Sequence, residues 1–188
     1  MKNPFLLFAT LILLLTSCGS LKPNLNKEYV AYQDLEYGTI YRRYDAFQDT
    51  YFYKHSGLNK ALGNKSPIGL YMFKGDDDSG LRLTMRYVSS DWLFVKYITV
   101  INSTGKKVTW YFKQSELDRK ARNGSVYETY DNLFPKNIYD ILKEVLKGEG
   151  VQMRLYGDDG YREYKTPQDE TRALIEMIDY YEKLLSED

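Results

Sequence analysis

The stretch LRLTMRYVSSDWLFVKYITVINSTGKKVTWYF, residues 81–112, decides the fold class. Leu81, Leu83, Met85 and Tyr87 alternate with Arg82, Thr84 and Arg86, the period of a half-buried antiparallel strand. Ser89-Ser90-Asp91 predicts a turn. WLFVKYITVI, residues 92–101, is apolar on both faces and predicts a central strand. NSTGKK reads as a hairpin loop, and VTWYF, residues 108–112, returns with Val108, Trp110 and Phe112 on one face. Three consecutive strands joined by short turns predict a meander.

The pattern continues upstream. Residues 28–56 are crowded with tyrosine at 29, 32, 37, 41, 44, 51 and 53. YGTIY and TYFYK alternate as strands, although Ile40, Tyr44 and Phe47 also fit helical spacing; strands are the expectation. Residues 57–67 read as a loop from their Gly, Asn and Pro content. IGLYMF, residues 68–73, predicts another strand, followed by a turn at GDDDSG.

Downstream, residues 113–125 read as a charged loop with at most a helical turn, and VYETY, residues 126–130, as a short edge strand. Asn137 is placed to cap a helix running to Lys147, with Ile138, Ile141, Leu142 and Val145 on one stripe and Gly148 beyond its end. VQMRLY and YREYK predict a hairpin with Asp159-Gly160 in its turn. Thr166 as N-cap and Pro167 at the first helical position open a last helix. Its stripe is Leu174, Ile178, Tyr181 and Leu185. The expected fold is α+β: a mainly antiparallel β-sheet, curved or folded into a sandwich, with two helices toward the C-terminus.

Composition bounds the chemistry. The chain has 26 basic and 26 acidic side chains and no long block of like charge, which argues against a nucleic-acid partner. It has one histidine, His55, and one cysteine, Cys18. No zinc-type cluster, HExxH, phosphate loop, GxGxxG or GxSxG elbow is present, so no metal, cofactor or catalytic residue is expected. His55 reads as a surface or packing histidine. Asp76-Asp77-Asp78 lacks the alternating ligands of a calcium loop and reads as a solvated turn, as does Asp158-Asp159. A carboxylate pair could hydrolyse a glycoside, but the sequence singles out no pair.

Tyrosine is abundant, with 19 in the chain. It joins a flat apolar ring to a polar tip, which suits glycan stacking and protein interfaces. The cluster Tyr37, Tyr41, Tyr44, Tyr51 and Tyr53 is the candidate ligand-binding set.

The N-terminus carries a Lys2 charge, then an apolar run from Phe5 to Leu15. The run is too short to span a bilayer, which takes about 20 residues, and suits the core of a secretory signal. LTSC, residues 15–18, resembles the lipobox of bacterial lipoproteins. That resemblance, over residues 1–20, implies that the Cys18 thiol receives a diacylglyceryl group and that cleavage occurs before it. Residues 1–17 are then a signal peptide, residues 18–28 a lipidated tether and residues 29–188 a single α+β domain. A domain of this length can bury about 70% of its unfolded surface. The anchor implies a bacterial cell-envelope location. Gly19 and Ser20, in place of an Asp after the cysteine, favour an outer membrane where the cell has one. The segment DWLFVKYITVINSTGKKVTW is similar to hairpins in uncharacterised exported bacterial domains and carries no function with it.

The expected function is therefore a non-enzymatic envelope lipoprotein, held to the membrane through Cys18, that binds an envelope protein or glycan. A structural or assembly component of an envelope complex is the alternative, ahead of a carboxylate-based hydrolase.

Overall fold

The computed structural model describes residues 30–34, 38–58, 66–76 and 78–187. The lipobox, Cys18, the tether, Tyr37 and Asp77 lie outside the described residues.

Among the described residues, eleven strands form two antiparallel sheets. β1 (Val30–Asp34), β2 (Gly38–Asp45), β3 (Thr50–His55), β4 (Ile68–Lys74), β5 (Ser79–Ser89), β8 (Leu117–Arg122) and β9 (Ser125–Leu133) make the larger sheet, in the order β1-β2-β3-β4-β5-β9-β8. β6 (Val95–Ile101), β7 (Lys107–Tyr111), β10 (Gln152–Gly157) and β11 (Gly160–Lys165) make the smaller one, in the order β11-β10-β6-β7. Helix α1 (Lys136–Leu146) lies on β6 and β7, and helix α2 (Gln168–Glu187) crosses β2, β3, β4 and β5.

The α+β expectation holds. The strands in the tyrosine-rich segment form, and the 151–165 hairpin forms with Leu155 opposite Arg162 and Tyr156 opposite Tyr161. Alternation sets the buried faces. Leu81, Leu83, Met85 and Tyr87 are buried, while Arg82, Thr84 and Arg86 face outward. Both sheets and both helices contribute to one continuous core. The sheets meet where Phe112 packs on Tyr130, with ring centroids 4.9 Å apart.

The expected meander does not form. β5 pairs with β4 and β9, whereas β6 pairs with β7 and β10. The chain leaves one sheet and enters the other through residues 90–94, and β6 begins only at Val95. The cause lies far away in sequence. Glu128, fully buried on β9, accepts the N–H groups of Leu93, Phe94 and Val95 at 2.7–2.8 Å. Those donors therefore do not continue a ladder with β5. Phe94 adopts φ +53° at this corner, a left-handed conformation uncommon outside glycine.

Other local expectations are corrected. Residues 113–125 are not a loop: a 3-10 turn at Gln114–Glu116 leads into β8, which forms a hairpin with β9. VYETY is accordingly an interior strand, flanked by β5 and β8. The four charged side chains of LDRKAR, Asp118, Arg119, Lys120 and Arg122, suit an edge strand, where charge deters pairing with another chain. Helix α1 starts at Lys136 with Pro135 at the cap and no side-chain bond, so Asn137 does not cap it. Ile141 is half exposed, and Leu146 takes its place in the buried stripe. The Thr166 hydroxyl is buried without a hydrogen bond and does not cap α2. Along α2 the buried set is Ala173, Leu174, Met177, Ile178 and Tyr180, and Leu185 is exposed. The helix lies against strands of a broad sheet, which widens and rotates its apolar stripe.

Candidate functional site

On the smaller sheet, side chains alternate between the core and solvent. Ile98, Val100, Val108, Trp110, Met153 and Leu155 point inward and are buried. The residues between them form the outer face, and there the register aligns four tyrosines. Tyr111 on β7 is opposite Tyr97 on β6, Tyr97 is opposite Tyr156 on β10, and Tyr156 is opposite Tyr161 on β11. One tyrosine from each strand thus makes a row across the whole sheet. With strands about 4.8 Å apart, the row is about 14 Å long.

The rings interlock. Tyr97 and Tyr156 stack at 4.5 Å between centroids and 14° between planes. Tyr111 leans on Tyr97 at 5.0 Å, and Tyr161 on Tyr156 at 5.9 Å. The Arg154 guanidinium lies 4.6 Å from the centre of the Tyr161 ring and donates to the Tyr156 hydroxyl at 2.9 Å. It also pairs with Glu163. These two acceptors raise the Arg154 pKa, the Tyr156 bond being the larger cause. The ends of the row are open: Tyr111 is 74% exposed and Tyr161 51%.

The next row of the same face is Thr109, Thr99, Arg154 and Glu163, with the two threonine hydroxyls 2.8 Å apart. A shallow hollow of about 230 Å³ lies beside it, lined by Thr99, Ile101, Lys107, Gln152 and Arg154 among others. The face is therefore an aromatic ridge beside a polar shelf. The two central rings cover each other, and the Arg154 guanidinium lies over the outermost ring on β11. What the two central rings offer a partner is edges and hydroxyl tips, while Tyr111 at the open end of the row keeps an exposed ring.

The tyrosines expected to bind ligand are divided by strand alternation. Tyr41 faces outward on the larger sheet and lines a hollow of about 270 Å³ with Lys54, Tyr71, Thr84 and Asp131. Tyr44, Tyr51 and Tyr53 lie on the opposite face of β2 and β3. They line a cleft of about 550 Å³ with Arg42, Asp49, Lys74 and Leu184. Within it the Tyr44 and Tyr51 rings are 4.9 Å apart, and Arg42 lies 4.5 Å from the Tyr51 ring centre. The Tyr44 hydroxyl donates to Asp49, which raises its pKa. Tyr53 belongs to the core, 6% exposed and 5.9 Å from the Tyr180 ring. The structure thus brings three of the five together and separates Tyr41 from them.

The remaining chemical candidates have structural employment. His55 is 8% exposed; its Nδ1 accepts the Gly57 N–H at 2.9 Å and its Nε2 lies 2.7 Å from Glu176. Among the described residues the buried carboxylates are Glu128 and Glu170. The first serves three backbone N–H groups and Arg119, and the second accepts the Ser66 N–H at 2.7 Å. No group of three or more His, Cys, Asp or Glu side chains among the described residues is arranged to hold a metal ion.

Tyr97, Tyr111, Tyr156 and Tyr161 are the site residues that sequence reasoning missed. Two of them flank the Asp158-Asp159-Gly160 turn, so their pairing is readable from the hairpin alone. The pairing of β6 with β10, which joins the two halves of the row, is long-range and leaves no local signal.

No protein-family model matches the chain, and no curated protein or solved structure matches it.

Proposed function

We propose that this chain is a non-enzymatic, lipid-anchored protein of the bacterial envelope that docks a protein partner on the tyrosine row of its smaller sheet. The anchor rests on the LTSC lipobox and Cys18. The binding role rests on one observation above all: four tyrosines, one per strand, in a single row across a solvent-facing sheet. Tyrosine is enriched at protein interfaces because it buries a large rigid ring at low entropic cost and keeps a hydroxyl for hydrogen bonding. Here the rings are already ordered by stacking on each other and on Arg154, so binding would immobilise little more.

A protein is favoured over a glycan on this face by the ring geometry. A sugar stacks on an open aromatic face, and the central faces are occupied by neighbouring rings. The glycan reading belongs instead to the cleft at Tyr44 and Tyr51, where rings adjoin Arg42 and Asp49.

Pull-down from detergent extracts of the native envelope, with and without soluble glycan competitors, tests both. Retention of a discrete protein that resists the competitors and is lost in Tyr111→Ser/Tyr161→Ser supports the proposal. Capture that glycans abolish, or that the double variant leaves unchanged, overturns it.

A further inference from the structure

A second surface lies on the larger sheet, on the face turned away from the core. The register sets Arg86 on β5 opposite Thr129 on β9, and Lys120 on β8 opposite Tyr127 on β9. Together with Arg122 and Asn123 at the end of the β8–β9 hairpin, they line a hollow of about 750 Å³. The chain as a whole has equal numbers of acidic and basic side chains, yet this hollow gathers three cations against one carboxylate, Asp118. Asp118 is paired with Lys120 at 2.5 Å. Arg86 rests 5.7 Å from the Tyr127 ring centre, and among the described residues neither Arg86 nor Arg122 has a carboxylate partner.

Charge on an edge strand deters pairing with other chains, which accounts for Lys120 and Arg122 on β8. It does not account for Arg86, which sits two strands in from that edge. Arg86 instead points its charge toward the same hollow. Two guanidinium forks and an ammonium supply more donors than a single carboxylate can accept, and they match the several oxygens of a phosphate. The Thr129 hydroxyl and the Asn123 amide add neutral donors, and Tyr127 supplies an apolar wall.

We propose that this hollow binds a phosphate ester. Its source is either the headgroup of an anionic phospholipid or a free phosphate compound, and both present the same anion to Arg86, Lys120 and Arg122. The site stands apart from the tyrosine row, on the other sheet, so the failure of either leaves the other intact.

The test uses the full chain in maltoside micelles, which carry no phosphate. Backbone amide NMR shifts of residues 118–129 are followed while inorganic phosphate is added in one arm and phosphatidylglycerol is doped into the micelles in the other. A saturable response in these residues, weakened by salt, is expected in at least one arm. Response to phosphatidylglycerol alone assigns the headgroup, and response to both assigns the anion itself. Arg86→Gln/Arg122→Gln should weaken binding by about tenfold or more with an unchanged melting temperature. No response in either arm, or a response that the double variant leaves intact, overturns the proposal.

Discussion

The carboxylate of Glu128 accepts the backbone N–H of Leu93 at 2.8 Å, across the point where the chain passes from one sheet to the other. It also takes the next two N–H groups and the Arg119 Nε at 3.0 Å, and is itself 0% exposed. A buried charge is costly unless paired and hydrogen-bonded, and here every bond it makes fixes the corner between the sheets. Glu128→Ala leaves three donors and Arg119 without their acceptor. The expected loss is about 3–5 kcal/mol of unfolding free energy, measured by urea denaturation. Arg119→Ala, with the backbone donors still satisfied, should cost less. Equal effects would contradict the view that the corner is held chiefly by the backbone bonds.

Gly157 tests the same corner from the other side. A Cβ at this position would lie 1.9 Å from the Leu93 carbonyl oxygen and 2.7 Å from its carbon. Both are backbone atoms, so no side-chain rotation relieves the clash. Gly157→Ala should destabilise the fold by about 1–3 kcal/mol or more. Gly160→Ala meets no atom within 4 Å but must adopt φ +98°, so its cost is conformational strain alone. Thermal melts of the two variants separate crowding from strain.

His55 has a defined tautomer. Its Nδ1 accepts from the Gly57 N–H, so in the neutral ring the proton sits on Nε2 and is donated to Glu176. Nitrogen NMR of the imidazole should show the Nε2–H form. The Nδ1–H form would place two donors face to face at 2.9 Å and contradict the geometry. His55→Ala removes both bonds and should cost about 1–3 kcal/mol, measured by denaturant unfolding.

Tyr71 predicts an alkaline limit to stability. Burial raises its pKa to about 12, with the charge of Asp131 the next cause. A phenol that holds its proton more tightly when folded stabilises the fold fully below pH 10. That contribution is lost as pH rises from about 10 to about 12, where the unfolded chain ionises first. Unfolding free energy should fall over this window, and ultraviolet titration should show a late-ionising tyrosine that Asp131→Asn shifts downward. Stability independent of pH across the window would contradict the placement of Tyr71.

Sequence patterns made the strands and helices legible where their signals are local. Alternation in LRLTMRY gave the buried face of β5, and Asp159-Gly160 gave the last hairpin. The split into two sheets was not legible, because it depends on Glu128 reaching backbone groups some 33–35 residues away. A Glu between Tyr127 and Thr129 looks like any solvent-facing residue of a strand until β8 and the 93–95 corner cover it. The candidate site followed the same rule. Tyr37, Tyr41, Tyr44, Tyr51 and Tyr53 are close in sequence and suggest one cluster, yet alternation sends Tyr41 to one face and Tyr44 to the other. Tyr97, Tyr111, Tyr156 and Tyr161 are dispersed in sequence and are gathered only by cross-strand pairing.

The most direct measurement of the central claim is site-specific photocrosslinking in the native envelope. A photoreactive phenylalanine replaces Thr109, which borders Tyr111 on the ridge, and in a control replaces Val88 on the outer face of the other sheet. The account predicts a discrete protein adduct from position 109 that is absent from position 88 and lost when Tyr111 and Tyr161 are changed to serine. The absence of any adduct from position 109, or one indifferent to those two tyrosines, would contradict it.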